Sequence, residues 1–403
     1  MRPLTRHVLL LGGGQTLGYA SSYYLPALLA APMAQDTGLP LAWAFAAFSL
    51  ALIVSGVVGP AAGRAVDRYG GRRVLLLSNL LFAAGLLAMA GAQGPVSLFA
   101  AWGVLGLAMG AGLYESAFAA LVGLYGHGAR GGITGITLLG GFASTVGWPL
   151  SAWMEVHWGW RGACLGWAAL HLLVGLPLHA WLPRQSPAKP HPGNAPTSSD
   201  NASARTLPTL PAPVRAQRTT LILSLVFAVA WFGSTALATH LPQLLQEAGL
   251  ALPHAVAVAS LVGPAQVAGR LLDFGLLRRL HPLLAARLAA AAHPVGAVLL
   301  LLLGAPAALA FTLLHGSGNG VLTIAKGTLP LLYFGTQGYG ERQGVLMVPA
   351  RIAQALAPVV FGALMQRVGV AALLLTALLG TLAWLALSAL GEPPAPAQTR
   401  TMA

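Results

Sequence analysis

The chain has 403 residues, of which 56% are hydrophobic and only 8% are charged. Soluble globular proteins carry about 25% charged residues. A chain so poor in charge cannot cover a surface that faces water, so its composition excludes a soluble protein and predicts one embedded in lipid. The net charge of +13 would suggest nucleic-acid binding in a soluble protein. In a membrane protein basic residues collect on the cytoplasmic side, and we expect no nucleic-acid partner.

Stretches of about 20 mostly apolar residues, the length that a spanning helix needs, recur along the whole chain. The first follows Arg2 and Arg6 and starts like a signal peptide, but its apolar run continues to Ala31. A cleavable signal has a shorter apolar core, so we expect a retained first helix. The predicted spans are 8–31, 41–63, 74–92, 97–124, 132–154, 162–182, 219–245, 253–272, 283–304, 307–333, 344–365 and 370–390.

The stretch 183–218, between the sixth and seventh spans, is rich in Pro, Ser, Ala and Thr and contains several basic residues. Such a composition cannot form a packed core, so the sequence predicts a flexible cytoplasmic linker. It separates a first six-helix bundle, residues 1–182, from a second, residues 219–403, which ends in a short cytoplasmic tail.

The basic residues indicate the orientation of the chain. Twelve spans put both termini on one side, and a cytoplasmic amino terminus places most of the 22 basic residues in the cytoplasm, as the positive-inside rule requires. We therefore expect a multi-pass protein of the bacterial inner membrane with both termini cytoplasmic. The basic residues on the cytoplasmic side are then Arg2, Arg6, Arg64, Arg68, Arg72, Arg73, Arg130, Arg184, Lys189, Arg205, Arg215, Arg218, Arg270, Arg278, Arg279, Arg287, Arg342 and Arg400.

Short sequence features recur in the same order in both halves. Six helices per half give the two halves the same direction in the membrane, which predicts parallel repeats related by an axis along the membrane normal. The fold class expected is an all-α membrane protein with twelve transmembrane helices in two pseudo-symmetric six-helix bundles. The matching features are 24–26 with 240–242, 59–67 with 263–273, and Gly106, Gly110 and Glu115 with Gly316, Gly320 and Lys326.

The segment 63–73, Gly-Arg-Ala-Val-Asp-Arg-Tyr-Gly-Gly-Arg-Arg, resembles the signature loop between helices 2 and 3 of the major facilitator superfamily, with one additional glycine. Residues 24–26, 160–161 and 349–358 resemble bacterial members near the monocarboxylate porters, some of which are arsenite exporters. The resemblance implies a secondary transporter that works by alternating access, with helices 1, 4, 7 and 10 around a central cavity.

In that family the signature loop is a conformational latch. Asp67 is placed to accept bonds from a facing helix terminus or to pair with nearby arginines, and would hold the cytoplasmic side closed. The alternative is that these charges only set the topology. The predicted latch residues are Gly63, Asp67, Arg68, Gly70, Arg72 and Arg73, with Arg270 and Asp273 in the second-half copy of the loop.

Three charged residues lie more than five residues from either end of a predicted span, where each costs about 2.5–3.5 kcal/mol on insertion scales and indicates function by default. The resemblance places Glu115 and Lys326 on cavity-lining helices at similar depth, so we expect a pair that forms in one state and releases in another. Lys326 would then bind an anionic substrate and Glu115 a proton; the alternative is a permanent structural bridge. Arg351, near the cytoplasmic end of its span, is expected to snorkel or join the latch, with substrate contact as the alternative.

Polar side chains at helical spacing form stripes that would be costly against lipid, and the cavity is their expected destination. Interhelical hydrogen bonding and interfacial anchoring are the competing explanations. Besides Lys326, the stripes contain His315, Asn319 and Thr323 in the tenth span, Gln15, Tyr19 and Ser22 in the first, and Trp231 and Thr235 in the seventh.

The sequence has no metalloprotease, nucleophile-elbow or phosphate-loop motif, so we expect neither an enzyme nor an ATPase, and no cofactor or metal. Cys164 is the single cysteine, which excludes an intramolecular disulfide and a thiolate cluster. The expected substrate is a small organic anion or drug-like amphiphile, coupled to protons, and the protein is expected to act as a monomer in the bilayer. Arsenite or toxicant efflux is the alternative, and a membrane-embedded enzyme or transporter-like sensor the alternative of another class.

Overall fold

The computed structural model describes residues 2–184, 213–277 and 280–391, which are helical almost throughout and contain no strand. Their helices group into twelve units, α1–α12. The first half contains α1 (Pro3–Ala20 and Pro26–Thr37), α2 (Leu41–Tyr69), α3 (Gly71–Ala90), α4 (Pro95–Gly112 and Tyr114–Tyr125), α5 (Arg130–Gly140 and 143–158) and α6 (160–170, His171–Gly175 and Leu176–Ala180). The second contains α7 (Pro213–Glu247), α8 (Leu252–Ser260 and Val262–Gly275), α9 (Pro282–Leu303), α10 (Ala308–Phe334), α11 (Tyr339–Val368) and α12 (Leu373–Ser388).

Eight continuous helical stretches of the described chain are long and apolar enough to cross a membrane. Pro95–Ala180 contains α4, α5 and α6, and Tyr339–Ser388 contains α11 and α12, while each of the other six corresponds to one unit. The unit α1 is divided into helices of 18 and 12 residues and completes the twelve. The expected fold class is confirmed, with bounds that differ from the predicted spans by a few residues.

Breaks within the units occur where the sequence favours them. Gly159 has a φ of 69° and separates α5 from α6, a conformation that glycine adopts without the steric cost of a Cβ atom. Pro26 starts the second helix of α1, at the one turn where proline costs no helical hydrogen bond. The break at Leu113 places Glu115 in the first turn of the second helix of α4.

Part of the predicted linker and tail lies outside the described residues. Residues 185–212 and 392–403 are not described, nor are Arg278 and Arg279 of the second-half copy of the signature loop. The helix α7 begins at Pro213, inside the stretch 183–218 that the sequence predicts to be linker.

Each half has its own apolar core. One cluster of buried side chains, which includes Trp102, Phe118 and Trp167, lies almost entirely in α1–α6. Two further clusters, around Phe227 and around Phe311, lie in α7–α12. In both halves apolar side chains also face outward, as expected of a surface that is in contact with lipid.

Two glycine pairs make equivalent close contacts in the two halves. Gly106 and Gly110 of α4 lie against the backbone of α2, and Gly316 and Gly320 of α10 lie against the backbone of α8. A Cβ atom on any of the four would approach that backbone within 3.0 Å. Small residues at such positions let membrane helices pack closely, and the repeated sequence feature therefore corresponds to a repeated helix contact.

The halves meet mainly through α2 against α11, through α4 against α11, and through α5 against α8 and α10. We call the end of the bundle that contains Asp67 and Glu341 the signature-loop end. In the described residues, the hydrogen bonds between the halves involve the middle of the helices or this end, from Ser49–Ala355 to Glu341–Asp67. None of them includes the helix Pro26–Thr37 at the opposite end. The halves are thus closed at the signature-loop end.

Candidate substrate and proton site between the two halves

A charged triad lies at the centre of the contact between the halves. The carboxylate of Glu115 accepts a hydrogen bond from Lys326 Nζ at 3.0 Å through Oε1 and one from Arg351 Nη2 at 3.2 Å through Oε2. The side chain of Lys326 is fully buried, and those of Arg351 and Glu115 are 4% and 10% exposed. One carboxylate therefore joins two cations of the other half, and the triad has a net charge of +1.

Aromatic rings surround the ammonium group of Lys326. Its Nζ atom lies 5.0 Å from the ring centroid of Tyr114 and 4.9 Å from that of Trp231. A desolvated cation over an aromatic face gains about 2 kcal/mol or more from the ring quadrupole. These rings, from one half each, stabilise a cation that would otherwise be costly to bury.

The guanidinium of Arg351 extends the site into a polar network. Its Nη1 donates to Gln354 Oε1 at 3.1 Å, and Gln354 Nε2 donates to Tyr23 Oη at 3.3 Å and Thr235 Oγ1 at 3.4 Å. The hydroxyl oxygens of Tyr23 and Thr235 are 3.1 Å apart. Helices α1, α4, α7, α10 and α11 thus all contribute polar side chains to one connected site.

The residues that the sequence selects divide into two sets. The structure brings Glu115, Lys326, Arg351, Trp231 and Thr235 together in the site. Tyr19 lies beside them, because its ring is 4.7 Å from that of Tyr114.

The remaining residues of the stripes in the first and tenth spans bond elsewhere. Gln15 donates to the carbonyl of Gly112 at the break in α4, and Ser22 donates to a carbonyl of its own helix. Asn319 donates to Ser234, and Thr323 donates to the carbonyl of Asn319.

His315 differs from the expectation because it does not face the triad. Its Nδ1 atom lies 3.1 Å from Nδ1 of His293 on α9, inside the second half. His315 and Lys326 are about three helical turns apart and therefore lie on nearly the same side of α10, as the stripe predicts. They differ in their level along the helix, because His293 of α9 packs against that side at His315 and Glu115 of the first half packs against it at Lys326.

Arg351 also differs from the expectation that it snorkels or joins the latch. The helix α11 begins at Tyr339 rather than at residue 344, so Arg351 lies more than three turns from its start at 3.6 residues per turn. Its first side-chain carbons lie against Gly56 of α2, and its guanidinium meets Glu115 instead of the latch.

Asp67 lies at the start of α11. Its Oδ1 and Oδ2 atoms accept hydrogen bonds from the backbone N–H groups of Gly340 and Glu341, each at 2.9 Å. The first N–H groups of a helix have no partner within it and favour an anion, so Asp67 caps α11 from the other half. A Cβ atom on Gly63 would collide with the backbone of Gly340, which explains why glycine stands one turn before this aspartate.

The arginines of the signature loop have smaller roles. Arg64 pairs with Glu341 at 2.9 Å, but both side chains are about half exposed, and such pairs contribute about 0–1 kcal/mol. Arg68 lies over the ring of Tyr69, Arg72 is partly buried and Arg73 is exposed.

Gly70 of the signature loop and the residues of the loop's second-half copy do not take part in the contact between Asp67 and α11. Gly70 has a φ of 84° and joins α2 to α3. Arg270 and Asp273 lie on α8, facing α5, and neither reaches Asp67. Asp273 shares a small cavity with Arg130.

Sequence reasoning missed Tyr23, Tyr114 and Gln354. The signal for Gln354 was available, because it lies three residues after Arg351 on one helix and such residues share a face. Tyr114 directly precedes Glu115, but only the break at Leu113 turns both side chains into the site. Tyr23 lies in the irregular turn of α1, where no periodicity applies.

Comparison with known proteins gives the family. The sequence model of the Major Facilitator Superfamily matches residues 11–348. An uncharacterized 38 kDa protein in the 23S RNA operon of Thermoproteus tenax is 38% identical over 152 residues, which are 38% of this chain and 39% of that protein. The match thus spans well under half of that relative's length.

Solved structures show the same fold over nearly the whole chain. The human organic anion transporter MFSD10 (TETRAN) is 18% identical with a TM-score of 0.69, covering 96% of this chain and 100% of its own. The E. coli fucose:proton symporter FucP is 13% identical with a TM-score of 0.71, covering 95% and 97%. The proton:xylose symporter XylE is 12% identical with a TM-score of 0.67, covering 95% and 94%. At these identities the likeness establishes the fold alone. With its family match, its twelve helices and its signature loop, the chain belongs to the Major Facilitator Superfamily and is a multi-pass membrane transporter.

Proposed function

We propose that this transporter moves a small organic anion together with a proton by alternating access, acting as a monomer in the bacterial inner membrane. The observation that carries the proposal is the triad, in which a single carboxylate neutralises one of two buried cations contributed by the other half. Buried charges inside a membrane protein indicate a substrate or ion pathway by default. An anionic solute is the ligand that suits the excess positive charge.

The proton and the anion are linked by the charge of the triad. Protonation of Glu115 removes its attraction for Lys326 and Arg351, and both cations then face the space between the halves. An anion bound to them restores the net charge of +1 that the empty triad has with Glu115 ionised. The loaded and empty sites thus have the same charge, whereas binding of the anion alone or of the proton alone changes it.

Asp67 supplies the proposed gate. In the structure its two hydrogen bonds hold the start of α11 against the end of α2, which closes the signature-loop end. We place that end in the cytoplasm on the positive-inside rule. Release of Asp67 from α11 would open this side, and the reverse movement would close it, so the latch sets which side has access.

Efflux of arsenite or another uncharged toxicant is the second candidate. The hydroxyl groups of Tyr23 and Thr235 within the site favour it, because they suit a neutral hydroxylated solute. Cys164, the single cysteine, is buried in the core of the first half and offers no thiol to the site. Such a solute would not depend on the charge of Lys326, which separates the two candidates.

The test uses purified protein in liposomes. Uptake of a panel of labelled monocarboxylates and dicarboxylates and of arsenite is measured with and without an imposed pH gradient. Glu115→Gln, which cannot ionise, is expected to lose accumulation driven by the gradient but to keep exchange of solute across the membrane, which also reports correct folding. Lys326→Ala is expected to weaken anion uptake. If uptake by Glu115→Gln depends on the pH gradient as uptake by wild type does, the proposed coupling is contradicted. If arsenite flux is unchanged in Lys326→Ala, the second candidate is favoured.

A further inference from the structure

Arg270 is a second buried positive charge between the halves, outside the triad. Apart from histidines, the buried side chains of the described chain whose usual form is charged at neutral pH are Glu115, Arg270, Lys326 and Arg351. Arg270 is only 5% exposed, and its Nε and Nη1 atoms are buried without a hydrogen-bond partner. No salt bridge found among the described residues includes it. A buried charge left without a partner is strongly unfavourable, so this guanidinium requires an explanation.

The position of Arg270 is fixed by close packing rather than by a bond. The preceding residue, Gly269, lies against the backbone of Ser317 on α10, so α8 is held tightly onto α10 at this level. The guanidinium crosses to the first half and lies against Gly141 of α5, where a Cβ atom would collide with its Nη1. The absence of a side chain at position 141 therefore leaves the space that the guanidinium occupies.

Tyr114 connects Arg270 to the triad. Its hydroxyl lies against Gly140, the residue next to Gly141, and its ring centroid is 5.0 Å from Lys326 Nζ. Lys326 thus lies over the ring of this tyrosine, and Arg270 lies at the position of α5 next to the one that its hydroxyl contacts. Both cations belong to the second half, and both face this part of the first half.

The nearest acidic residue along α8 does not neutralise Arg270. Asp273 lies one turn further on and lines a small cavity together with Arg130 of α5. Its carboxylate thus has its own basic neighbour in the other half. The centre of the molecule is left with three buried cations and one carboxylate, an excess of two positive charges.

We infer that Arg270 is a second anion-binding group of the transport site and that the transported solute has two anionic groups, as a dicarboxylate has. This inference rests on the proposed function. One anionic group binds Lys326 and Arg351, and the other pairs with the guanidinium of Arg270, whose planar donors suit a carboxylate. A dianion that moves with one proton carries one net negative charge, so its flux responds to the membrane potential.

The test compares dicarboxylates of three to six carbons with monocarboxylates of the same lengths on the full chain. Affinity is measured by ligand-induced shifts in unfolding temperature of the detergent-purified protein, and flux in liposomes at clamped potentials. At least one dicarboxylate is expected to bind wild type about tenfold or more tightly than its monocarboxylate partner. Arg270→Gln is expected to remove that preference, because it lowers the affinity for dicarboxylates more than the affinity for monocarboxylates.

Two further variants separate binding from folding. Arg270→Gln removes an unpaired buried charge, so its unfolding temperature without ligand should equal or exceed that of wild type. Gly141→Ala keeps the arginine but takes its space, and should also lose the dicarboxylate preference. Arg367→Gln removes an exposed arginine and is the matched control for loss of one positive charge.

The outcomes distinguish this inference from the proposed function. If no dicarboxylate is preferred, or if Arg270→Gln weakens both classes equally, the inference is overturned while anion transport stands. If wild type binds and moves no carboxylate of either class, the proposed function fails, and the inference fails with it.

Discussion

Substitutions at different members of the triad should change the stability of the protein by different amounts, although all three side chains are buried in one cluster. Glu115→Gln leaves Lys326 and Arg351 buried without a counter-charge, and the local charge rises from +1 to +2. Lys326→Met leaves the pair of Glu115 and Arg351, and the local charge falls to zero. Methionine fills a similar volume among the rings of Tyr114 and Trp231.

The magnitudes follow from this difference. Removing one partner so that a buried charge is uncompensated costs about 3–5 kcal/mol, and we expect that loss of unfolding free energy for Glu115→Gln. For Lys326→Met the lost cation–π contacts, about 2 kcal/mol or more for a desolvated cation, oppose the gain from burying one charge fewer. The net change should be within about 1 kcal/mol of zero. The double variant should recover part of the loss, since it buries one unpaired cation instead of two.

The assay is equilibrium unfolding of detergent-purified protein at several denaturant concentrations, followed by tryptophan fluorescence. A double-mutant cycle over Glu115 and Lys326 gives their coupling free energy. The reasoning is refuted if Lys326→Met destabilises the protein as much as Glu115→Gln does. That result would mean that the ammonium itself, rather than the excess of charge, stabilises the folded state.

Two other predictions concern the latch and the helix packing. Asp67→Ala removes two charge-assisted hydrogen bonds, so spin-label distances between the ends of α2 and α11 should lengthen as the signature-loop end opens. Arg64→Gln, the control, should change these distances little. Equal changes in the two variants would mean that surface charge, rather than the Asp67 cap, holds this end closed. Gly106→Ala should lower the unfolding free energy by about 1–3 kcal/mol through overpacking against α2, and Gly103→Ala, with nothing within 4 Å of the new Cβ, should not; equal effects would exclude close packing as the cause.

The difference between Glu115 and Arg351 shows how far sequence reasoning reaches into the site. A charge in the middle of a predicted span indicates function, because the cost of burying it rises with its depth in the membrane. Hydropathy locates the span and therefore gives that depth. Near a span's end the same residue type can reach water, so the sequence leaves its environment open. The start of α11 at Tyr339, earlier than the apolar run begins, moved Arg351 into the interior.

The sequence by itself determined that the chain is all-helical, crosses the membrane repeatedly and repeats its plan in two halves. Those properties depend on composition, on the length of apolar runs and on the order of short features, which are all local. The signature loop could likewise be recognised from the sequence, because Gly63 and Asp67 lie within two turns of one helix.

Only the tertiary structure decided which side chains meet. Lys326 meets Glu115, whereas His315, on nearly the same side of α10 but about three turns away, meets His293 of α9. The packing of α8 against α10 and α5 left the Nε and Nη1 atoms of Arg270 without a partner. These contacts depend on which segments pack together at each level of a helix, and some of those segments are more than a hundred residues apart. The periodicity of a single helix does not specify them.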